Sequence, residues 1–206
     1  MRDQGVHQHP DRLDRPRQDG RGEAIATTSP RRVTLSTGRL RLEPVRPSHA
    51  PGIYEAVVAS RPELLPWMPW AREPTLESTL DMTVRDEKAW RDDRVFHFAL
   101  VETESGDVLG VAGLNRDGPK TLGLHYWIRA DHAGRGLTTE AGEALVAWAR
   151  DELRAARLTL WAGRDNHASR RVAEKLGFIH LGQLDWRPAG GLGDFDAESY
   201  ELVFSA

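Results

Sequence analysis

The segment Tyr126-Trp127-Ile128-Arg129-Ala130-Asp131-His132-Ala133-Gly134-Arg135-Gly136-Leu137-Thr138-Thr139-Glu140 carries the clearest chemical signal in the chain. An apolar strand pattern runs into a glycine pair and then into a helical pattern. Gly134 and Gly136 permit backbone angles that other residues avoid, and they let a ligand approach the chain closely. The first N–H groups of the following helix lack intrahelical acceptors and lie at its positive end. Such a terminus suits a phosphate or diphosphate, and the hydroxyls of Thr138 and Thr139 can add donors. The same spacing also serves an ordinary tight turn. Neither G-x-x-x-x-G-K-S/T nor G-x-G-x-x-G occurs, so the common mononucleotide and dinucleotide loops are excluded. His125 on this strand and His97 on an earlier one carry imidazole, the side chain suited to proton transfer near neutral pH. Each reads either as a base or as a buried structural ring.

The elements that position these residues follow from hydropathy patterning. Leu40 and Leu42 alternate in a strand pattern within TLSTGRLRLEPV. Pro47 to Ala50 stop that strand, and Ser48 is placed to cap a helix carrying Ile53, Val57 and Val58. Pro62 to Pro74 is rich in proline and holds Trp67 and Trp70, so it is expected as a rigid connector rather than a regular helix. A second helix is expected over Leu76 to Trp90. Strands follow at Val95 to Val101, Val108 to Leu114 and Leu122 to Ile128, the first two forming a hairpin through Glu104 to Asp107. Leu137 to Leu153 has helical spacing. Leu158 to Trp161 is a strand, and Ala168 to Leu176 is a helix ended by Gly177. Phe178 to Leu184 and Ser199 to Phe204 are the last strands. Hairpins combined with one strand–helix–strand crossover predict an α/β (mixed α+β) fold: a mixed, mostly antiparallel sheet with helices on both faces.

Composition narrows the function. The 206 residues include 39 % hydrophobic side chains, enough for a core, and no cysteine. Disulfides, thiolate metal sites and cysteine nucleophiles are thereby excluded. The net charge of −3 argues against a general nucleic-acid or anionic-membrane binder. Residues 1–30 are polar and rich in Pro, Gly, Asp and Arg, which predicts a disordered tail before a domain over 31–206. His7 and His9 read as polar tail residues rather than a metal pair, and no metal is expected. Without a signal-peptide core or a long apolar run, the expected location is the cytoplasm.

Residues 133–138, Ala133-Gly134-Arg135-Gly136-Leu137-Thr138, resemble the coenzyme A diphosphate loop Q/R-x-x-G-x-G/A of the GNAT family of N-acetyltransferases, especially the RimJ/RimL-like subgroup that acetylates ribosomal protein N-termini. Gly136 matches. Ala133 stands where the pattern has a long polar residue, which removes one side-chain contact, and Thr138 stands where it ends on a small one. Asn166-His167-Ala168-Ser169-Arg170-Arg171-Val172-Ala173-Glu174-Lys175-Leu176-Gly177-Phe178 resembles the family block N-x-x-S-x-x-V/L-x-E-K-L-G-F. TGRLRLEPVRPSHA is similar to the subgroup's opening, so the resemblance covers about residues 33–206.

The resemblance implies an acyl-CoA-binding fold and transfer of acetyl from acetyl-CoA to a primary amine, by direct attack in a ternary complex. The amine would be a protein or peptide N-terminus or a small molecule. By residue match, Trp127, Ile128 and Arg129 meet the pantetheine. Gly134, Arg135, Gly136, Leu137, Thr138 and Thr139 hold the diphosphate. Ser169 lies near the thiolate or caps its helix, and Asn166 binds pantetheine or fixes the turn. Glu63 precedes the segment that shapes the subgroup's acceptor pocket, where it could orient an ammonium. Trp67 and Trp70 line that pocket or pack the connector, and His97 joins them as an acceptor-side candidate. His132 and His167 border the cofactor. Asp194 and Asp196 attract a cationic substrate or make turn bonds. Two other readings stay open: a succinyl-CoA-dependent transferase, and a non-catalytic CoA-binding regulatory domain. A homodimer is an option because related enzymes often pair. No nucleic-acid or membrane partner is implied.

Overall fold

The computed structural model describes residues 32–183 and 196–205. The expected tail, Leu184 and Asp194 lie outside the described residues. The elements in chain order are β1 (Leu35–Ser36), β2 (Leu40–Pro44), α1 (Ala50–Ala59), α2 (Arg61–Leu64), α3 (Leu76–Arg91), β3 (Val95–Glu102), β4 (Val108–Gly118) and β5 (Thr121–Ile128). They continue with α4 (Leu137–Asp151), β6 (Arg157–Gly163), α5 (His167–Lys175), β7 (Ile179–Gln183) and β8 (Ala197–Val203). The strands form one sheet in the order β1-β2-β3-β4-β5-β6-β8-β7. Every neighbouring pair is antiparallel except β5 and β6. That parallel pair is the crossover through α4, so the mixed, mostly antiparallel sheet read from the sequence is the one observed.

Alternation along the strands supplies two apolar faces. One cluster joins Phe96, Phe98, Leu100, Leu122 and Leu124 to Leu137, Ala141, Leu145, Trp148 and Ala149 of α4. Trp148 anchors it, with ring centroids 5.8 Å from Trp90, 5.5 Å from Phe96 and 5.4 Å from Phe98. Burying each of these aromatic side chains contributes about 1.5–3 kcal/mol. A second cluster sets Ile53, Ala56 and Val57 of α1, Leu64 and Ala71 against Ala99, Val101, Val111 and Trp127.

Local differences from the patterning have physical causes. Ser48 does not cap α1. Pro47–His49 form a 3-10 turn, and α1 starts after His49 without a side-chain cap bond. His49 fixes this approach instead: its Nδ1 accepts from the Arg46 N–H at 3.2 Å, and its Nε2 lies 3.3 Å from Glu43 Oε2. The proline-rich connector contains one helical turn, α2, and a 3-10 turn at Pro69–Arg72. Pro62 and Pro69 sit in the first turns of these pieces, where a missing N–H costs no hydrogen bond. β4 extends past Leu114 to Gly118, because Asn115, Arg116 and, beyond a bulge at Asp117, Gly118 still pair with β5.

Candidate active site

β5 holds β4 along its whole length but holds β6 only at its start. Its parallel register with β6 is Thr121↔Arg157, Leu122↔Leu158 and Gly123↔Thr159, and there it ends. β6 meanwhile continues to Gly163, paired with β8. The sheet therefore opens between residues 124–128 of β5 and 160–163 of β6. The Arg129 N–H donates to the Leu109 carbonyl at 2.7 Å. Backbone directions alternate along an antiparallel strand. The main-chain groups of Trp127 and His125 thus face β4, and those of Ile128, Tyr126 and Leu124 face the opening. An extended ligand laid there meets a row of backbone donors and acceptors.

At the end of β5 the chain turns through a 3-10 segment at Ala130–His132 and reaches the glycine pair. Gly134 and Gly136 have φ of 74° and 81°, the left-handed region that side chains disfavour. A Cβ at Gly134 would meet nothing within 4 Å. Gly136 is the N-cap of α4 and offers no side-chain cap bond. The N–H groups of Leu137, Thr138 and Thr139 thus emerge at an exposed helix end, a cradle suited to a diphosphate. The Arg135 guanidinium is half exposed and lies 3.7 Å from Glu102. The loop's other end is tied down: the Ala130 N–H donates to the buried Ser60 Oγ at 2.9 Å, and Arg129 forms a two-pronged pair with Asp131 at 3.1 and 2.7 Å. With His132 also 2.8 Å away, Asp131 is held down at about 2, chiefly by the Arg129 hydrogen bonds.

Across the opening stands α5. Asn166 is its N-cap, accepting from the Ser169 N–H at 3.0 Å. The capping role belongs to Asn166, which frees the Ser169 hydroxyl. That hydroxyl lies 3.1 Å from the Tyr126 phenol, which also reaches the Ser169 carbonyl at 3.1 Å. Burial pushes the phenol up to about 12, with the Ser169 bond countering it in part, so Tyr126 keeps its proton at neutral pH. Tyr126 has no role in the sequence reading. Its partner is 43 residues away, and its only signal was its place beside Trp127.

Two histidines meet on another part of the sheet. Their ring centroids are 4.5 Å apart at 81°. His97 Nδ1 lies 2.7 Å from Asp86 Oδ2 and Nε2 lies 3.3 Å from Asn115 Oδ1. Gly113 faces both residues in register, and a Cβ there would sit 2.8 Å from His97 Cδ2. The glycine leaves the space the rings use. His125 Nε2 is buried with no hydrogen-bond partner among the described residues. Burial, and then His97, hold His125 well below the usual histidine range, so its ring is neutral at pH 7.

Trp70 is half exposed, its ring edge-on to Trp127 at 6.0 Å. Trp127 itself is buried in the cluster with α1. Trp67 and Glu63 belong to the same connector, Glu63 exposed in α2. The structure brings Ser169 to the opening beside β5 and gathers His97 with His125. No hydrogen bond among the described residues joins Glu63 to either group. His167 begins α5, and Asp196 pairs with Arg164 at 3.4 Å.

The parted sheet, the uncapped, glycine-led helix start and the hydroxyls of Tyr126 and Ser169 lie together within residues 124–169. Residues 39–179 match the family described as the acetyltransferase (GNAT) domain, and the chain belongs to that family of acetyltransferases. It is 27 % identical over 154 residues to the putative ribosomal N-acetyltransferase YdaF of Bacillus subtilis, covering 68 % of this chain and 77 % of that protein. It is 25 % identical over 147 residues to the ribosomal-protein-serine acetyltransferase of Escherichia coli, covering 70 % and 82 %. The solved structure of Mycobacterium smegmatis RimJ in complex with CoA-disulfide superposes with a TM-score of 0.72 at 19 % identity, covering 84 % of this chain and 88 % of that one. Among the described residues no helix is long and apolar enough to cross a membrane, and no group of acidic or histidine side chains is arranged to hold a metal ion.

Proposed function

We propose that this chain transfers the acetyl group of acetyl-CoA to a primary amine, the N-terminal amine of a protein being the best-supported acceptor. The observation that carries this reading is the parting of β5 and β6 after Gly123↔Thr159, directly upstream of the open α4 terminus. The names of the two relatives, both ribosomal acetyltransferases, support a protein amine over a small molecule.

The donor supplies an acyl group activated as a thioester. The N–H groups of residues 136–139 bind its diphosphate, and the edge of β5 at Tyr126 and Ile128 lines its pantetheine arm. A β5 N–H facing the opening is placed to stabilise negative charge on the acyl oxygen. Trp67, Trp70, Glu63 and His97 border the acceptor side, where aromatic faces favour an ammonium. Attack forms an N–C bond and breaks the C–S bond. One proton must leave the amine and one must reach the departing thiolate. Ser169, backed by the protonated Tyr126, serves the thiolate. His125 is neutral, but the burial that holds it well below the usual histidine range makes it a poor acceptor, so the amine proton passes to water.

The test is thiol release from acetyl-CoA and, in parallel, succinyl-CoA, against ribosomal-protein N-terminal peptides and a panel of small amines. Turnover with peptides and acetyl-CoA is expected. Binding of acetyl-CoA without turnover on any amine would make the chain a CoA-binding domain instead.

A further inference from the structure

The turn between β1 and β2 reaches across to the donor loop. Arg39 Nη1 donates to the Arg135 carbonyl at 3.0 Å, and Arg39 Nε donates to Glu140 Oε2 at 2.8 Å. Its Nη2 lies 2.7 Å from that same oxygen. The Arg39 backbone N–H donates to Glu140 Oε1 at 2.8 Å, and Thr37 Oγ1 donates to it at 2.5 Å. Glu140 stands in the first turn of α4. A carboxylate there suits the helix itself, but it opposes a second anion arriving at the same terminus. Burial pushes the Glu140 carboxyl up, yet the bonds from Thr37 and Arg39 outweigh it and hold the group below its ordinary value. Glu140 is therefore charged at neutral pH and tied to the β1–β2 turn.

We propose that Arg39 is a positioning residue for the donor's diphosphate. It neutralises Glu140 and holds it toward Thr37, and it fixes the Arg135 carbonyl so that the following N–H groups stay presented. A residue about a hundred positions upstream thereby sets the electrostatics of the anion loop. This rests on the reading of that loop as the diphosphate site.

The experiment is calorimetric titration of acetyl-CoA into the wild type, Arg39→Ala and the double variant Arg39→Ala/Glu140→Gln, each checked by circular dichroism. Arg39→Ala should raise Kd about tenfold, because it leaves a bare carboxylate at the helix end. Adding Glu140→Gln should recover most of that loss, which a defect of folding alone would not do. The ratio of kcat/KM for acetyl-CoA over S-acetyl-pantetheine, which lacks the diphosphate, should fall in Arg39→Ala. If Arg39→Ala does not fold, Arg39→Gln and its Glu140→Gln double are read in its place. Unchanged affinity, no recovery in the double variant, or equal losses for both donors would overturn the proposal alone. A wild type that does not bind acetyl-CoA would overturn the functional reading with it.

Discussion

Gly136→Glu is the sharpest single perturbation of the donor site. Gly136 has φ of 81°, and an ordinary residue there costs about 1–2 kcal/mol in backbone strain. Sterics add little: a Cβ would meet only Arg39 Nη2, at the ordinary contact distance of 3.7 Å. Gly136→Ala should therefore lose about that strain in stability and only a few-fold in affinity. Glutamate adds a negative charge at the N-cap, beside the N–H groups assigned to the diphosphate. At roughly 6–8 Å and an effective dielectric near 20, that repulsion is about 2 kcal/mol before screening. It corresponds to roughly thirtyfold in Kd. Calorimetry with acetyl-CoA at low and high salt measures it, and the charge component should shrink as salt rises. Arg135→Ala should be milder, since that side chain is half exposed and only loosely paired. A folded Gly136→Glu protein with unchanged Kd would place the donor elsewhere and refute the site.

Ser169→Ala and Tyr126→Phe should lower kcat more than they weaken acetyl-CoA binding, because both break the hydroxyl pair assigned to the thiolate; steady-state kinetics with equilibrium titration separates the two, and an unchanged kcat removes the pair from the chemical step. His125 is held below 6.5 in the folded protein, so below that pH the unfolded chain binds a proton that the native ring refuses. Stability should fall with acid by up to about 1.4 kcal/mol per pH unit from this ring, and His125→Leu should flatten that limb in urea melts collected from pH 7 to 5. Gly113→Ala should destabilise by about 1–3 kcal/mol, because its Cβ would press on the Phe96 carbonyl at 2.5 Å and on His97; a thermal melt equal to wild type would show that the strands yield.

The sequence made the element order legible wherever side-chain period was strong. Leu137, Ala141, Leu145 and Trp148 announce α4, and the strand–loop–helix run announces its glycine-led start, because both are local in sequence. What stayed hidden was non-local or side-chain specific. Tyr126 meets Ser169, Asp86 meets His97, and Arg39 meets Glu140 only after the sheet is assembled. Ser48 had a suitable cap chemistry, yet Pro47 and His49 drew that stretch into a 3-10 turn. Ser169 was read as a possible cap, but Asn166, the residue just before the helix, takes that role. The end of β4 was missed because Asn115, Arg116 and Asp117 are polar, although backbone pairing does not depend on polarity.

The three-pair junction of β5 with β6 has a mechanical consequence. The sheet is two plates, β1 to β5 and β6 with β8 and β7, stitched by a short seam at Thr121–Gly123. Past the seam no backbone ladder joins the plates among the described residues; Tyr126 of β5 instead meets Ser169 of α5, the helix that follows β6. A molecule threaded into the cleft would act as a rivet, so its residence should slow amide hydrogen exchange in residues 124–128 and 160–163 together, while the seam itself changes little. The rigidity of this protein would then be partly supplied by what it carries.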